Sequence, residues 1–152
     1  KEYRRQRQMC IRDRYHPSFP RKYKGDPTNI IYRSLWERKF MVYCDKNTKI
    51  LEWGSEEIAL PYISPHDNRI HRYFPDFYIK VQENTGRIKR YLIEVKPKKQ
   101  TKPPAKPKRQ TKGYIREAFE YARNQAKWKA AREYCADRRW EFKVITETEL
   151  DI

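Results

Sequence analysis

The chain has 152 residues, of which 38% are hydrophobic and 37% charged, enough for one domain with a small core under a heavily ionised surface. Lysine and arginine number 36 against 20 acidic residues, a formal charge of +16, and such a field draws polyanions, nucleic acid first among them. The 14% aromatic content excludes a disordered polyelectrolyte, no apolar run reaches the length of a membrane span, and Cys10, Cys44 and Cys135 lack the pairing of a disulfide framework or the histidine spacing of a zinc finger.

The chain opens on a stretch, QMCIRDR (8–14), that resembles translated sequencing-adapter read-through, so residues 1–14 are set apart as a non-native or disordered leader. Removing their net charge of +4 leaves +12, and residues 15–152 read as a single domain. YHPSFPRKYKGDP (15–27) carries prolines and a glycine and predicts an extended lead-in. Ser34, followed three residues later by Glu37, is a capping-box pattern and predicts a helix over about 34–45. KILEW (49–53) and EEIALPYI (56–63) predict short strands around a turn at Gly54-Ser55, and SPHDN (64–68) a further turn. RYFPDFYIKV (72–81) and RIKRYLIEVK (87–96) are aromatic and β-branched, and the polar turn between them predicts a hairpin.

Residues 96–116 carry nine basic side chains, no acidic ones and four prolines. This predicts an extended basic arm over 97–112. A long helix over about 113–138 follows, with an apolar stripe through Ile115, Ala118, Phe119, Ala122, Ala126, Ala130 and Tyr134. Trp128 is expected in the core. WEFKVIT (140–146) predicts a last strand, with Thr146 capping a terminal helical turn. The element order predicts an α/β (α+β) fold, a mixed β-sheet flanked by helices.

Within this order Asp76 interrupts an aromatic strand, and Glu94 and Lys96, two apart, project from one face of the next strand while Val95 points the other way with Ile93 and Tyr91. Two carboxylates and a lysine on adjacent strands suit phosphodiester hydrolysis. The carboxylates can hold a hard divalent cation, with Mg2+ the best fit and Mn2+ a substitute, and the lysine can orient water or offset developing negative charge. Taken singly, each of the three has a plain reading as a strand-end acid or an exposed charge pair; the trio together points to a metal site. Glu37 is open between helix capping and a place in the site, since it shares a helix face with Phe40, Met41 and Cys44, where an unpartnered carboxylate is costly. His66 or His71 as general base is a minor alternative.

PDF and EVK, with their acids 18 positions apart, resemble the motif of the PD-(D/E)XK nuclease superfamily, which implies a restriction-endonuclease-like core. A longer resemblance runs through YKGDP, IIYRSLWERKF, ILEWGSE, ALPY, HRYFPDF, IEVKPKKQTKPP, NQAKWKAA and VITE. These strings look like the head-completion nucleases of tailed phages and, more loosely, the N-terminal nuclease domain of TnsA-type proteins. The resemblance implies an endonuclease with Glu37, Asp76, Glu94 and Lys96 catalytic and with metal held by Asp76, Glu94 and the Val95 carbonyl. It also implies processing of packaged DNA ends in the host cytoplasm during phage assembly, or in the virion head or neck, with portal or neck proteins as partners.

For DNA itself, the arm supplies Lys98, Lys99, Lys102, Lys106, Lys108, Arg109 and Lys112, and the following helix Arg123 and Lys127, all expected to meet phosphates. A solvated linker is the bland alternative for the arm. Two rival functions stay open at this point: a basic DNA-end-binding virion protein without catalysis, and a nuclease subunit working with a transposase.

Overall fold

The computed structural model describes residues 13–150. Strands β1 (Asp13–Tyr15) and β2 (Ile30–Tyr32) form an antiparallel pair, so Asp13 and Arg14, grouped with the leader on sequence, are paired backbone; residues 1–12 lie outside the described residues. Helix α1 (Leu35–Lys46) follows, then β3 (Ile50–Ser55), β4 (Leu60–Ile63), β5 (Ile70–Tyr73), β6 (Phe77–Gln82), β7 (Ile88–Val95), α2 (Lys112–Arg138), β8 (Glu141–Ile145) and α3 (Glu147–Leu150). The central sheet runs β3-β6-β7-β8 and is mixed: the first two pairings are antiparallel, and β7 with β8 is parallel. This is the α+β arrangement expected from the sequence.

Strand alternation divides the core in two. Phe77, Ile79, Ile93 and Val95 turn to one face, where they meet Phe40, Met41 and Cys44 of α1 together with Trp53 and Tyr23. Tyr78, Leu92, Phe142 and Val144 turn to the other face, against Trp128, Ala131 and Cys135 of α2 and Leu60, Tyr62 and Tyr73 of the β4–β5 hairpin. With both faces covered, the strands β6 and β7 carry nearly continuous apolar runs. The two described cysteines are free and lie in opposite halves of the core.

Several expectations change with tertiary context. The β3 and β4 segments do not pair with each other: β3 lies against β6, and β4 makes its own hairpin with β5. The segment 72–81 is not one strand, because Phe74-Pro75-Asp76 breaks it, and Pro75 has no N–H to give to a ladder. Along α2 the buried stripe is Asn124, Trp128, Ala131 and Cys135, whereas Ile115 and Phe119 are 40% and 55% exposed. The first half of α2 runs past the sheet, flanked by the arm, which begins with a 3-10 turn at Lys98–Thr101 and then has no regular structure to Gln110.

Local signals hold as read. Ser34 Oγ accepts from Glu37 N at 3.1 Å at the start of α1. Thr146 takes the same place before α3, where its N–H and hydroxyl both donate to Glu149 Oε2 at 2.7 and 2.6 Å. Among the described residues no helix is long and apolar enough to cross a membrane. The N-terminal segment is fastened by Asp45, which is fully buried. Its carboxylate accepts from Tyr15 Oη and Ser18 N at 2.7 Å each and from Phe19 N at 3.0 Å.

Candidate active site

The register of the sheet brings three acidic residues into one row at its end. Ser55 and Ile93 both stand opposite Phe77, and Glu56 N donates to Asp76 O at 3.0 Å, so Glu56, Asp76 and Glu94 sit side by side just past the paired rungs. Asp76 stands in the bend that precedes β6, not within a strand as expected from sequence. Its Oδ2 accepts from Val95 N at 2.8 Å, and Oδ1 takes no hydrogen bond among the described residues. Val95 carries its N–H and C=O on the same side of the strand, and that side is the one facing Asp76.

Glu94 is 5% exposed and points with Leu92 toward α2. Tyr73 Oη donates to Glu94 Oε1 at 2.8 Å, and Lys96 Nζ lies 3.6 Å from Glu94 Oε2. Burial drives the Asp76 carboxyl well above its ordinary pKa, and the neighbouring Glu94 charge adds to the rise. Glu94 is raised as well, by burial, with Lys96 opposing. A half-buried and a buried carboxyl that resist ionising side by side could hold a proton or a cation between them, and their oxygen donors suit a hard one. Among the described residues no three acid, His or Cys side chains converge tightly enough to cage a metal.

Glu37 approaches from the α1 side. It fills the capping role, with Oε2 accepting from Arg33 N at 3.1 Å. Burial raises its carboxyl, and the charges of Glu56 and Glu94 push in the same direction. It therefore shares the electrostatic neighbourhood of the trio without bonding to any of its members. Arg33 Nη1 pairs with Glu56 Oε2 at 2.9 Å on the same rim.

The structure adds residues that carry no signal in the sequence. Tyr73 and Tyr62 of the β4–β5 hairpin are buried, Tyr73 against Glu94, and Lys127 Nζ lies 5.7 and 5.8 Å from their ring centres. Lys127 thus stands at the site rather than on an outer helix face. Burial lowers its pKa, and the like charge of Lys96 lowers it further while Glu94 opposes. No local pattern marks the tyrosines, because Tyr73 meets Glu94, and both rings meet Lys127, only through the hairpin's docking on α2.

The remaining predicted DNA contacts are placed as an exposed rim. Lys98, Lys99, Lys102, Lys106, Lys108, Arg109 and Lys112 are exposed along the arm and the first turn of α2. Lys98 N donates to Glu147 Oε2 at 2.9 Å, which fixes the arm where it leaves the site. Arg123 is paired with Glu120 at 2.8 Å on the surface. Neither histidine joins the carboxylates: His71 pairs with Asp67 at 2.8 Å, and His66 Nε2 lies 3.2 Å from Phe119 O.

Comparison with known proteins gives the same outline. The family model of the TnsA-like endonuclease N-terminal domain matches residues 47–147, a span that holds Asp76, Glu94, Lys96 and Lys127 and begins after Glu37. The head completion nuclease of Enterobacteria phage T4 is 38% identical over 143 residues, covering 91% of this chain and 93% of that protein.

Proposed function

The chain belongs to the TnsA-like endonuclease family, and from that membership we propose that the row Asp76, Glu94, Lys96 is the catalytic centre of a divalent-metal-dependent DNA endonuclease acting in phage head completion. The observation that carries this reading is the pairing of Asp76 and Glu94 at adjacent strand ends. Glu94 is buried and Asp76 half-buried there, one oxygen of Asp76 has no hydrogen-bond partner among the described residues, and a lysine stands 3.6 Å from Glu94.

In this reading Asp76, Glu94 and the Val95 carbonyl would hold the cation, Mg2+ by preference and Mn2+ as a substitute. The cation supplies polarisation of the phosphoryl oxygens and acidification of a nearby water. The protein's own groups do the rest. The Val95 N–H and the Tyr73 hydroxyl fix one oxygen of each carboxylate, so the other is aimed in a constant direction. Lys96 orients the attacking water beside Glu94. Glu37 acts from the α1 side by keeping negative potential at the row, and Arg33 holds Glu56 at its edge.

Outside the row, the basic rim follows the duplex by its phosphates, so affinity is salt-dependent and depends little on sequence. The shared length with the phage T4 protein supports action on packaged DNA ends in the host during assembly. Docking of the protein on portal or neck components would place it at those ends.

The test is cleavage of linear and branched DNA in Mg2+ and in Mn2+ by the wild type, Asp76→Asn and Lys96→Ala. Loss of cleavage in both variants with retained folding is expected. Cleavage by Asp76→Asn at the wild-type rate would overturn the assignment, and binding without any cleavage by the wild type would favour a non-catalytic DNA-end-binding role.

A further inference from the structure

Lys127 is a half-buried cation in an unusual position. Five ion pairs join described residues, and Lys127 is in none of them. Lys96, by contrast, is paired with Glu94 at 3.6 Å. The Lys127 ammonium instead rests at the edge of cation–π range of two tyrosine rings, 5.8 Å from the centre of Tyr62 and 5.7 Å from that of Tyr73. Removing an ammonium from water without a carboxylate partner is unfavourable unless another anion completes it. The neighbouring residue Trp128 is 4% exposed in the core, so the backbone that carries Lys127 is fixed, and so is the direction from which its side chain enters.

The class of anion that would complete Lys127 follows from what shares the space. Tyr73 is bonded through its hydroxyl to Glu94 and faces Lys127 with its ring. The amine is therefore held beside the carboxylate row but outside bonding distance of it, near enough to Lys96 for the two charges to repel. A phosphodiester drawn to a cation at Asp76 and Glu94 would come within reach of both lysines and relieve their mutual repulsion. We propose that Lys127 is a second catalytic lysine, whose ammonium contacts a non-bridging oxygen of the scissile phosphate and is held for it by the rings of Tyr62 and Tyr73. This rests on the nuclease reading of the row and deepens it.

The chemical step is simple to balance. A water oxygen forms a bond to phosphorus, the bond from phosphorus to the departing strand's oxygen breaks, and the water's proton ends on that oxygen or in solvent. Lys127 keeps its proton throughout and acts by charge, offsetting the negative charge on the phosphoryl oxygens as the bonds exchange.

The test uses the full chain with Lys127→Gln. Single-turnover cleavage of labelled duplex is measured in Mg2+ at saturating DNA, and duplex binding is measured against salt with Ca2+ in place of Mg2+. The expected result is a fall in the saturating rate of about 100-fold, as for the loss of one preorganised charge, together with a binding slope lower by about one phosphate's worth of released counterion. A saturating rate within about threefold of wild type, too small for the removal of such a charge, overturns the proposal. So does a slower rate with an unchanged slope, which would make Lys127 a support for Glu94 rather than a phosphate ligand. If Lys127→Gln loses its melting transition, Lys127→Met carries the same test, since it keeps the apolar stem against the tyrosines. Wild type that cleaves in neither Mg2+ nor Mn2+ overturns the nuclease reading itself, whereas an active wild type with an equally active Lys127 variant overturns only this assignment.

Discussion

Tyr73 donates its hydroxyl proton to Glu94 Oε1 at 2.8 Å, while Lys96 Nζ stands 3.6 Å from the other oxygen, Oε2. The carboxylate is thus turned by a residue 21 positions earlier in the chain, on a hairpin outside the central sheet. Tyr73→Phe removes this donor but leaves the ring that faces Lys127. Mn2+ binding without DNA, followed by calorimetry, should weaken by about tenfold, the lower end of what loss of an orienting partner costs a metal site. An unchanged dissociation constant would mean that Glu94 is held by its packing alone.

A second consequence concerns stability. Asp76 is held well above its ordinary pKa by burial, and then by the charge of Glu94. A carboxyl raised in the folded state binds its proton more tightly there than in the unfolded chain. Its contribution is therefore fully present below the unfolded value of about 3.9 and is lost as pH rises through the folded value. Asp76→Asn keeps an acceptor for Val95 N–H and carries no such loss. In EDTA, the Tm difference between Asp76→Asn and wild type should be small near about pH 4 and should grow in favour of the variant toward about pH 7.5. Adding Mg2+ should stabilise the wild type and narrow the gap, because ligand binding to the native state adds to its stability. A wild type more stable than the variant at neutral pH in EDTA would show that the pair is not strained.

Much of this architecture was legible in the sequence where the cause is local. Ser34 and Glu37 announce the start of α1 because the capping box is a four-residue interaction. The polar turn between β6 and β7 announces their hairpin, and the two-residue period puts Glu94 and Lys96 on one face with Val95 on the other. What failed is what depends on distant chain. β3 chooses β6 over its neighbour β4 because burial, not adjacency, decides pairing. On α2, Ile115 and Phe119 lie on a helical half that extends past the sheet, so their apolar period meets no core. Tyr73 and Tyr62 read as ordinary strand aromatics; only the docking of β4–β5 on α2 turns them into supports for Glu94 and Lys127.

On the proposed function, the arm should serve affinity rather than chemistry. Lys102, Lys106 and Lys108 are exposed and stand beyond the Glu147 bond that anchors Lys98. Replacing the three with Gln should lower the salt dependence of duplex binding by roughly one unit of slope for each phosphate no longer engaged. The cleavage rate at saturating DNA should stay near wild type, since none of the three reaches the carboxylate row. A fall in that saturating rate larger than about tenfold, a barrier change of about 1.4 kcal/mol, would show that the arm positions the scissile bond as well as holding the strand.

Outside the row, Asp45 is a buried carboxylate whose partners are all structural. Asp45 accepts three hydrogen bonds from Tyr15, Ser18 and Phe19. Lys22 Nζ closes the same end of α1 through Asp45 O at 2.9 Å and Asn47 O at 2.8 Å. Asp45→Ala would leave the Tyr15 hydroxyl and two part-buried backbone N–H groups without their acceptor, a loss of about 3 kcal/mol. For a chain of this size that corresponds to a Tm lower by about 10 °C. Asp45 lies eight residues along α1 from Glu37, or about 12 Å at helical rise, so the loss should not reach the row. Below the lowered Tm, Mn2+ affinity should match wild type. A variant that melts early and also binds Mn2+ weakly would show that the N-terminal segment holds α1, and with it Glu37, in register with Asp76.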